Sequence, residues 1–489
     1  MAIDPLVRVL LACSVVLISL FVILAIRYSG PLFPTEIPTS YTMPWASFLP
    51  VAPLLMIVVM WFAYFSFKVL AATGLPKASP QVTMVVLSVI AIGMIIRFVY
   101  FPHISGDYWH FIRQWVNEIR LNGIQGVITS GADYNMSYMY IMWVIARLPV
   151  ADLGLVKLVS VVGDVLLALG AMSLASHLAK DDRYRKLISI VTLGLVWLLP
   201  TVVMNSSWWG QTDAIYTGFV VWSLYFALQR RPHLAVIMVS VAFAFKLQTV
   251  FFLPVGAVLL FCGLLKVRHL LWFPLVNIVI SLPAIIRGIP FEHVFGVYIN
   301  QAGLRAHSLT NNAPSVWGLF TWETLHADAQ RVSMLRTLSI SSAFAFLVLM
   351  LLVAWIHRKR MSDSTVLVFS VLITLGTPFL LPQMHDRYFF TAEIFAVVLA
   401  VTAISRFKAP IYVLPLMVTA ASLFAYQNYL RLAGFPVGEP VTVLPGFQGV
   451  PMVYGAVLNL MALIFSAYLL WKSIQADRAS EHPAPVLIA

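Results

Sequence analysis

The sequence predicts an all-α membrane protein, a polytopic transmembrane bundle of about fourteen spans. Of its 489 residues, 61% are hydrophobic and only 10% are charged, which is more apolar surface than one water-soluble core can bury. Hydrophobic runs of the roughly 20 residues that a helix needs to cross the hydrocarbon layer recur from the first ten residues to about residue 471. These observations exclude a soluble globular protein, because no soluble domain of ordinary size fits between the runs.

The predicted spans follow the hydrophobic runs in chain order. Their centres lie near residues 17, 58, 92, 166, 196, 220, 240, 257, 278, 346, 374, 397, 419 and 461. The segment from Tyr134 to Leu148 is followed by Pro149, which favours a juxtamembrane or half-inserted helix in the first large outer loop. Lys246 and Gln248 interrupt the apolar stretch 234–265, and this interruption predicts a hairpin.

Three regions divide the predicted bundle. Residues 1–80 hold an N-terminal pair of transmembrane helices, and the first of them is interpreted as retained because no small-residue cleavage site follows it. Residues 81–300 form a module whose first outer loop is 102–153. Residues 301–489 contain the C-terminal helices, an outer loop to about residue 334 and a short polar tail.

Five basic clusters set the predicted orientation, because short loops rich in Lys and Arg stay on the cytoplasmic side. They lie at 180–186, 230–231, 266–268, 358–360 and 406–408. All fall on one side of the predicted bundle, which places both termini in the cytoplasm. The outer loops are then 102–153, 205–212, 287–334 and 383–388.

The excess of basic residues is interpreted as a topology signal. The formal net charge is +12, but the Lys and Arg residues are dispersed between hydrophobic runs and do not form a basic face for nucleic acid. The short loops and the compact chain favour a bacterial inner membrane as the location. Membrane lipids are therefore expected partners, and nucleic acid is not.

Acidic, basic and aromatic residues gather in the predicted outer loops. An ionisable side chain at membrane depth costs a few kcal/mol or more unless it is paired or hydrated, so such residues near helix ends are candidates for function. The loops, together with the interrupted stretch, supply Asp107, Asp133, Tyr134, Trp208, Trp209, Gln211, Asp213, Lys246, Arg305, His307, His385, Arg387 and Tyr388.

These residue types fit a site for sugar transfer. A carboxylate can accept the proton of a hydroxyl acceptor as the new bond forms, which is general-base catalysis. Arg, Lys or protonated His can hold an anionic phosphate through charge-assisted hydrogen bonds. Trp and Tyr offer an apolar face and a polar group against which a sugar ring can stack.

The order of the motifs resembles the GT-C class of integral-membrane glycosyltransferases, nearest the mannosyltransferases of the GPI-anchor pathway and their bacterial relatives. The resemblance covers roughly residues 82 to 405. It is carried by Ile104 to Asp107, Asp133 to Met136, Asn205 to Asp213, Lys246 after an Ala-rich helix, and Met384 to Tyr388. The chain departs from the usual pattern at Asn135-Met136, where relatives often have Pro-Pro, and in its two extra N-terminal helices.

The resemblance implies an inverting transfer on the non-cytoplasmic face. The donor would be a polyprenyl-phosphate hexose, with mannose or glucose as the sugar, and the acceptor a hydroxyl of a lipid-linked or envelope glycan. Asp107 would be the general base, and no metal cofactor is implied. The expected ligands of the donor phosphate are Lys246, His385, Arg387 and Arg305. The expected substrate contacts are Asp133, Tyr134, Trp208, Trp209, Gln211, Asp213 and Tyr388.

The candidate residues also have structural explanations. Asp107 can be a solvated loop acid or a helix N-cap, Asp133 can cap a helix or support the loop, and Asp213 can cap the helix that starts near Ala214. Trp208 and Trp209 equally suit anchors at the membrane interface. Lys246 can extend from a helix end to water, and Arg305 and His307 can be exposed loop residues.

A different class of protein fits the same helix count. A secondary transporter or lipid flippase places coupling-ion residues near the midplane, and Asp164 is the strong acid in such a position. Asp164 equally suits pairing with a neighbouring helix. A metal bound by His103, His110 and Asp107 is a weaker alternative because these residues lack a recognised ligand spacing. A non-catalytic assembly subunit is the third possibility.

Overall fold

The computed structural model describes residues 4–27, 42–72, 79–179, 181–299, 309–320, 328–403, 410–430 and 449–479. Over these ranges the protein is built almost entirely of α-helices. Arg305, His307 and the basic cluster at 406–408 lie outside the described residues.

The first half of the chain forms helices α1 to α10. Their bounds are α1 Pro5–Arg27, α2 Ala52–Ala71, α3 Pro80–Tyr100, α4 Arg113–Asn122, α5 Gly126–Thr129, α6 Met136–Ile145, α7 Asp152–Leu178, α8 Asp182–Trp197, α9 Pro200–Val203 and α10 Asp213–Leu228. The remaining helices are α11 Pro232–Phe245, α12 Leu253–Phe261, α13 Trp272–Ile286, α14 Phe291–Phe295, α15 Ala329–His357, α16 Asp363–Leu380, α17 Phe390–Ala403, α18 Val413–Leu430 and α19 Gly449–Ala479.

The long apolar helices identify an integral, multi-pass membrane protein. Within the described ranges, eight helices are long and apolar enough to cross a membrane, and a ninth span results if α8 and the helix that follows it, which are bent by 47° relative to each other, count as one. The most enclosed are α7 and α16, whereas α1 lies at the periphery. The all-α bundle predicted from the sequence is confirmed at this level.

The predicted number of about fourteen spans is wrong, because several of the helices are too short to cross a membrane. Every predicted centre falls within a helix, but those near residues 220, 240, 257, 397 and 419 fall in α10, α11, α12, α17 and α18, which are shorter apolar segments. At 1.5 Å per residue, the 14 residues of α11 extend about 21 Å, less than the roughly 30 Å of hydrocarbon. A hydrophobic run in the sequence includes residues beyond the point where the helix breaks.

Two of the shorter sequence predictions agree with the structure. The segment predicted to be juxtamembrane contains the ten-residue helix α6, which is too short to cross a bilayer at 1.5 Å per residue. The predicted interruption at Lys246 is also present, because α11 ends at Phe245 and a 3-10 helix, Leu247–Phe251, separates it from α12.

The two ends of α7 have different surroundings: Lys157, near its start, contacts the loop that leads to Asp107, whereas His177, near its end, lies beside Arg185 of a basic loop. Helix α7 packs against α8 and α10, and α17 packs against α7 and α8. At the basic end, His177 on α7 lies 3.0 Å from Asp363 at the start of α16. Asp4 pairs with Lys68 near this end, and Asp477 accepts hydrogen bonds at the start of α16. Both ends of the described chain therefore lie with the basic loops.

The N-terminal helix pair supports the opposite end of the bundle. Helix α2 packs on α7, and the segment before it reaches the loop that follows α3. There, the Met43 amide donates to the carbonyl of Pro102 at 2.9 Å. Residues 42–72 therefore help to hold the loop that leads to Asp107.

A short parallel sheet fixes the loop between α16 and α17. Strand β1, Thr310–Asn311, pairs with strand β2, Met384–His385. The amide of Gln383 also donates to the carbonyl of Leu309 at 2.9 Å. This pairing holds the segment that carries His385 and Arg387.

Candidate active site

Lys157 organises the loop that precedes Asp107. Its fully buried ammonium donates to the carbonyls of Tyr100 at 2.9 Å, Phe101 at 3.1 Å and His103 at 2.6 Å. The last carbonyls of a helix lack partners within it and form the negative end of its dipole, so a cation is favourable there. Lys157 thereby fixes the C-terminal end of α3 and the turn that follows.

Asp107 is held through one of its two carboxylate oxygens. Its Oδ2 accepts hydrogen bonds from Trp209 Nε1 at 2.9 Å, Gln211 Nε2 at 2.5 Å and Arg387 Nη1 at 3.2 Å. No described residue donates to Oδ1. The side chain does not cap the helix that begins after it, so the capping explanation of Asp107 is wrong. The carboxylate is oriented and keeps one oxygen for a ligand.

The second polar loop places two of these donors behind Asp107. A π-helix, Met204–Trp209, ends at Gly210, whose φ of +78° turns the chain in a conformation that favours glycine. Ser105 Oγ donates to the carbonyl of Trp209 at 2.7 Å and ties this loop to the first one. A further π-helix, Tyr108–Ile112, begins directly after Asp107. Such turns are frequent at functional sites.

Asp213 forms a second carboxylate centre beside the first. Its Oδ1 accepts a hydrogen bond from Lys246 Nζ at 2.7 Å, and its Oδ2 accepts one from Asn205 Nδ2 at 2.9 Å. Arg387 Nε lies 3.5 Å from the same Oδ2, within ion-pair distance but without the alignment of a hydrogen bond. Arg387 therefore bridges Asp107 and Asp213, and its guanidinium lies 4.9 Å from the centroid of the Trp209 ring.

Three groups in the polar loops have strongly shifted pKa values. Burial raises the pKa of the Asp386 carboxyl to about 7, although the adjacent Arg387 opposes the shift. Burial lowers the pKa of His103 to about 3, and the charge of Lys157 adds to the effect. His103 is consequently neutral at physiological pH. For Arg387, burial lowers the pKa, but Asp107, Asp213 and Asp386 together raise it well above its ordinary value.

The ion pairs open on a cavity of about 110 Å³ at the polar end of the bundle. Its charged wall consists of Asp107, Asp133, Lys246 and Arg387. Its other polar groups come from Gln211, Gln248 and His385, and its aromatic wall from Phe111, Trp115, Tyr134, Phe245, Tyr298 and Tyr388. The Tyr134 hydroxyl donates to Gln211 Oε1 at 3.2 Å. The cavity is partly open, so a polar group of a larger ligand can enter it from outside.

Most of the predicted site residues meet in this cavity. Those in its wall are Asp107, Asp133, Tyr134, Gln211, Lys246, His385, Arg387 and Tyr388. Asp213 lies behind the wall and holds Lys246. Its side chain bonds to other side chains and not to the start of α10, so it is not merely a helix cap.

The two tryptophans do not form part of the cavity wall, and their expected stacking on substrate stays a prediction. Trp209 is fully buried behind Asp107, to which its indole nitrogen donates. Trp208 stacks on Tyr100 with ring centroids 5.1 Å apart. Trp115 and Tyr134, with centroids 5.6 Å apart, supply aromatic surface in the cavity instead. The position of Arg305 lies outside the described residues.

Several residues that line or position the cavity were not among the predicted site residues. Lys157 and Asn205 act through contacts between distant segments, which the sequence does not reveal. Tyr298 lines the cavity, but no motif in the sequence around it indicates this. Gln248 could have been found, because it shares the interruption of an apolar stretch with Lys246.

Asp164 has a structural partner. Its Oδ2 accepts a hydrogen bond from Arg97 Nε at 2.7 Å, and both side chains are fully buried between α3 and α7. The explanation of Asp164 as a partner for a neighbouring helix therefore agrees with the structure.

In the described part of the chain, no group of three or more His, Cys, Asp or Glu side chains is arranged to hold a metal ion. Comparison of the sequence with protein-family models and with curated proteins finds no match. A function for the protein must therefore be argued from the chemistry of the cavity.

Proposed function

We propose that the protein is a membrane glycosyltransferase of the GT-C type. It would move a hexose from a polyprenyl-phosphate sugar to a hydroxyl of a lipid-linked or envelope glycan. One observation carries the proposal: a carboxylate with an uncommitted oxygen and two cationic side chains line the same small cavity at one end of a membrane bundle. A donor anchored by its lipid can keep its chain in the bilayer while its anionic head enters such a cavity.

Asp107 acts as the general base in this proposal. Its Oδ1 accepts the proton of the acceptor hydroxyl as the acceptor oxygen bonds to the anomeric carbon. The bond between that carbon and the phosphate oxygen breaks, and its electron pair leaves with the phosphate. Because attack and departure occur on opposite faces of the sugar, the configuration inverts. The three donors on Oδ2 keep Oδ1 directed at the acceptor.

Lys246 and Arg387 stabilise the phosphate in the donor and in the leaving group. The leaving phosphate gains negative charge, so fixed cations stabilise the transition state more than the bound donor. Arg387 Nη1 is committed to Asp107, but Nη2 makes no hydrogen bond with any described residue. One guanidinium can thus orient the base and bind the phosphate together. His385, which also lines the cavity, is the further candidate.

The site is proposed to face the non-cytoplasmic side of a bacterial inner membrane. The described basic loops and both described chain ends lie at the end of the bundle opposite the cavity. Loops rich in Lys and Arg stay in the cytoplasm. The cavity then opens toward the periplasm, where lipid-linked glycans are elaborated. The choice of mannose or glucose rests on the resemblance of the motifs.

A comparison of cells with and without the gene tests this function. Mass spectrometry of lipid-linked and envelope glycans should detect species that are one hexose lighter when the gene is deleted. A plasmid copy of the wild-type gene should restore the missing hexose, whereas an Asp107→Asn copy, expressed at the same level, should not. Identical glycans in both strains would reject the proposal.

The rival function is a transporter or flippase, which the helical membrane bundle equally suits. Its candidate coupling-ion residue, Asp164, is paired with Arg97 and fully enclosed. Counterflow measurements in liposomes test this alternative directly. Exchange of a solute or lipid glycan without sugar transfer would favour it.

A further inference from the structure

Gln248 is a buried polar group in the cavity wall that the proposed chemistry does not use. The residue is 5% exposed, and its Oε1 is fully enclosed yet accepts no hydrogen bond from the described residues. Buried amide oxygens are rarely left without a donor, because water is lost and nothing replaces it. Because Gln248 also lines the cavity, a ligand bound there can supply the missing donor.

The local backbone places Gln248 beside a phosphate-binding candidate. Helix α11 ends at Phe245, Lys246 is extended with φ of −153° and ψ of 135°, and the 3-10 helix begins at Leu247. Lys246 and Gln248 are therefore two residues apart, and both line the cavity. A sugar joined directly to a phosphate on Lys246 is therefore expected to lie near the part of the wall that Gln248 forms.

An aromatic side chain adjoins this amide. The Tyr388 hydroxyl interacts with Gln248, and the Tyr388 ring lies 5.3 Å from the His385 ring and 5.7 Å from the Phe251 ring, measured between centroids. Tyr388 therefore has a fixed position in the wall. An amide next to a tyrosine combines polar recognition with an apolar surface, which is the combination that a sugar ring requires.

We propose that Gln248 binds neighbouring hydroxyls of the transferred hexose and selects which hexose is accepted. A carboxamide presents an acceptor oxygen and a donor NH₂ side by side, so it can pair with two adjacent hydroxyl groups. An epimer moves one of these hydroxyls to the other face of the ring and leaves the buried amide unpaired. This inference rests on the proposed function and adds the source of its sugar selectivity.

The test uses the purified full-length protein and three donors, which are polyprenyl phosphates that carry mannose, glucose or galactose. The main variant is Gln248→Met, which keeps the length of the side chain and removes its hydrogen bonds. Thr249→Val is the matched control: Thr249 is the next residue, and its buried hydroxyl also makes no hydrogen bond with the described residues, but it does not line the cavity. If the Gln248→Met protein does not fold, Gln248→Glu is measured instead, because it keeps the shape of the side chain.

Gln248→Met should lower kcat/KM for the preferred hexose by about 10- to 100-fold, as expected for an unpaired buried group. The ratio of kcat/KM between the preferred hexose and its epimers should fall toward one. Binding of sugar-free polyprenyl phosphate should not change, and Thr249→Val should behave as wild type.

Two results would overturn the inference while leaving the proposed function intact. One is a Gln248→Met protein that keeps both its rate and its selectivity. The other is a variant that loses affinity for sugar-free polyprenyl phosphate to the same extent as activity, which would place Gln248 at the phosphate. A wild-type protein that transfers none of the three sugars would instead reject the proposed function, and this inference with it.

Discussion

Two buried arginine–aspartate pairs in this protein differ in what surrounds them. Arg97 and Asp164 are 2.7 Å apart, and both side chains are 0% exposed. Arg387 and Asp107 are 3.2 Å apart, and their side chains are 12% and 11% exposed. The first pair joins α3 to α7, whereas the second lines the cavity at the end of the bundle.

The closed pair, Arg97 with Asp164, has its further contacts inside the bundle, although Arg97 Nη2 and Asp164 Oδ1 make no hydrogen bond with the described residues. The Arg97 guanidinium lies 3.6 Å from the centroid of the Trp197 ring and donates to the carbonyl of Gly93 at 3.0 Å. The open pair, Arg387 with Asp107, belongs to a larger set of charges that includes Asp213 and Lys246. Burial of an ion pair therefore does not by itself indicate a ligand site. The feature that separates the two pairs is the cavity that Arg387 and Asp107 line.

The largest expected effect is on catalysis at the open pair. Asp107→Asn keeps the size of the side chain but cannot accept the acceptor proton, so we expect transfer to fall by about 10²- to 10⁴-fold. The apparent Tm in detergent should stay near that of wild type. Turnover of a labelled donor by the purified protein measures the loss. A variant that retains wild-type turnover would remove Asp107 from the chemistry.

The closed pair should respond in the opposite manner. Asp164→Ala leaves the Arg97 charge buried without its partner, which should cost about 3–5 kcal/mol of stability. The double substitution Arg97→Met with Asp164→Leu should recover most of this loss, because an apolar pair replaces the ionic one. Thermal unfolding in detergent measures both changes. If the double variant transfers sugar poorly despite normal stability, the pair is not merely structural.

Loss of a phosphate ligand should affect binding of the donor. Lys246→Met removes a charge-assisted hydrogen bond of about 1.5–3 kcal/mol, which corresponds to roughly a 10- to 100-fold weaker affinity for polyprenyl phosphate. Lys266→Met is the control, because Lys266 lies in a basic loop at the other end of the bundle. Competition with a labelled donor measures the affinity. Equal effects of the two substitutions would indicate a nonspecific charge effect.

Lys157 should act as a positioning residue with a smaller effect. Lys157→Met removes three hydrogen bonds from the turn before Asp107, so we expect kcat to fall about tenfold through misplacement of the base. The KM for the donor should stay unchanged because Lys246 and Arg387 are not disturbed. Steady-state kinetics separate the two parameters. A rise in KM with a constant kcat would contradict this role.

A further expected effect is a pH dependence of stability due to Asp386. Its pKa is raised from 3.8 to about 7 by burial. The protonated carboxyl therefore favours the folded state below about pH 4, and this contribution is lost as the pH rises through about 7. The wild-type Tm should fall across this interval, and Asp386→Asn should flatten the curve. Parallel curves for both proteins would show that another group titrates.

The sequence predicted the helical membrane bundle and much of the cavity because both depend on residue chemistry along the chain. An ionisable residue near a membrane span costs free energy unless it is paired, hydrated or functional. This argument identified Asp107, Lys246 and Arg387 on three distant segments. The interruption at Lys246 was predicted for the same reason.

What the sequence did not predict depends on contacts and on helix length. The pairing of Arg97 with Asp164 and the three carbonyls bound by Lys157 join segments that are far apart in the chain. The number of spans was wrong because hydropathy does not locate the ends of α10 and α11. The burial of Trp209 behind Asp107 follows from the turn at Gly210, which a composition argument cannot place.

Reconstitution of the purified protein with a polyprenyl-phosphate hexose and an acceptor glycan tests the central claim most directly. Mass spectrometry would count the acceptor molecules that gain a hexose and the polyprenyl phosphate released without its sugar. We predict equal amounts of the two products with the wild-type protein. An intact donor after prolonged incubation, with movement of a lipid or solute across the bilayer, would contradict the account.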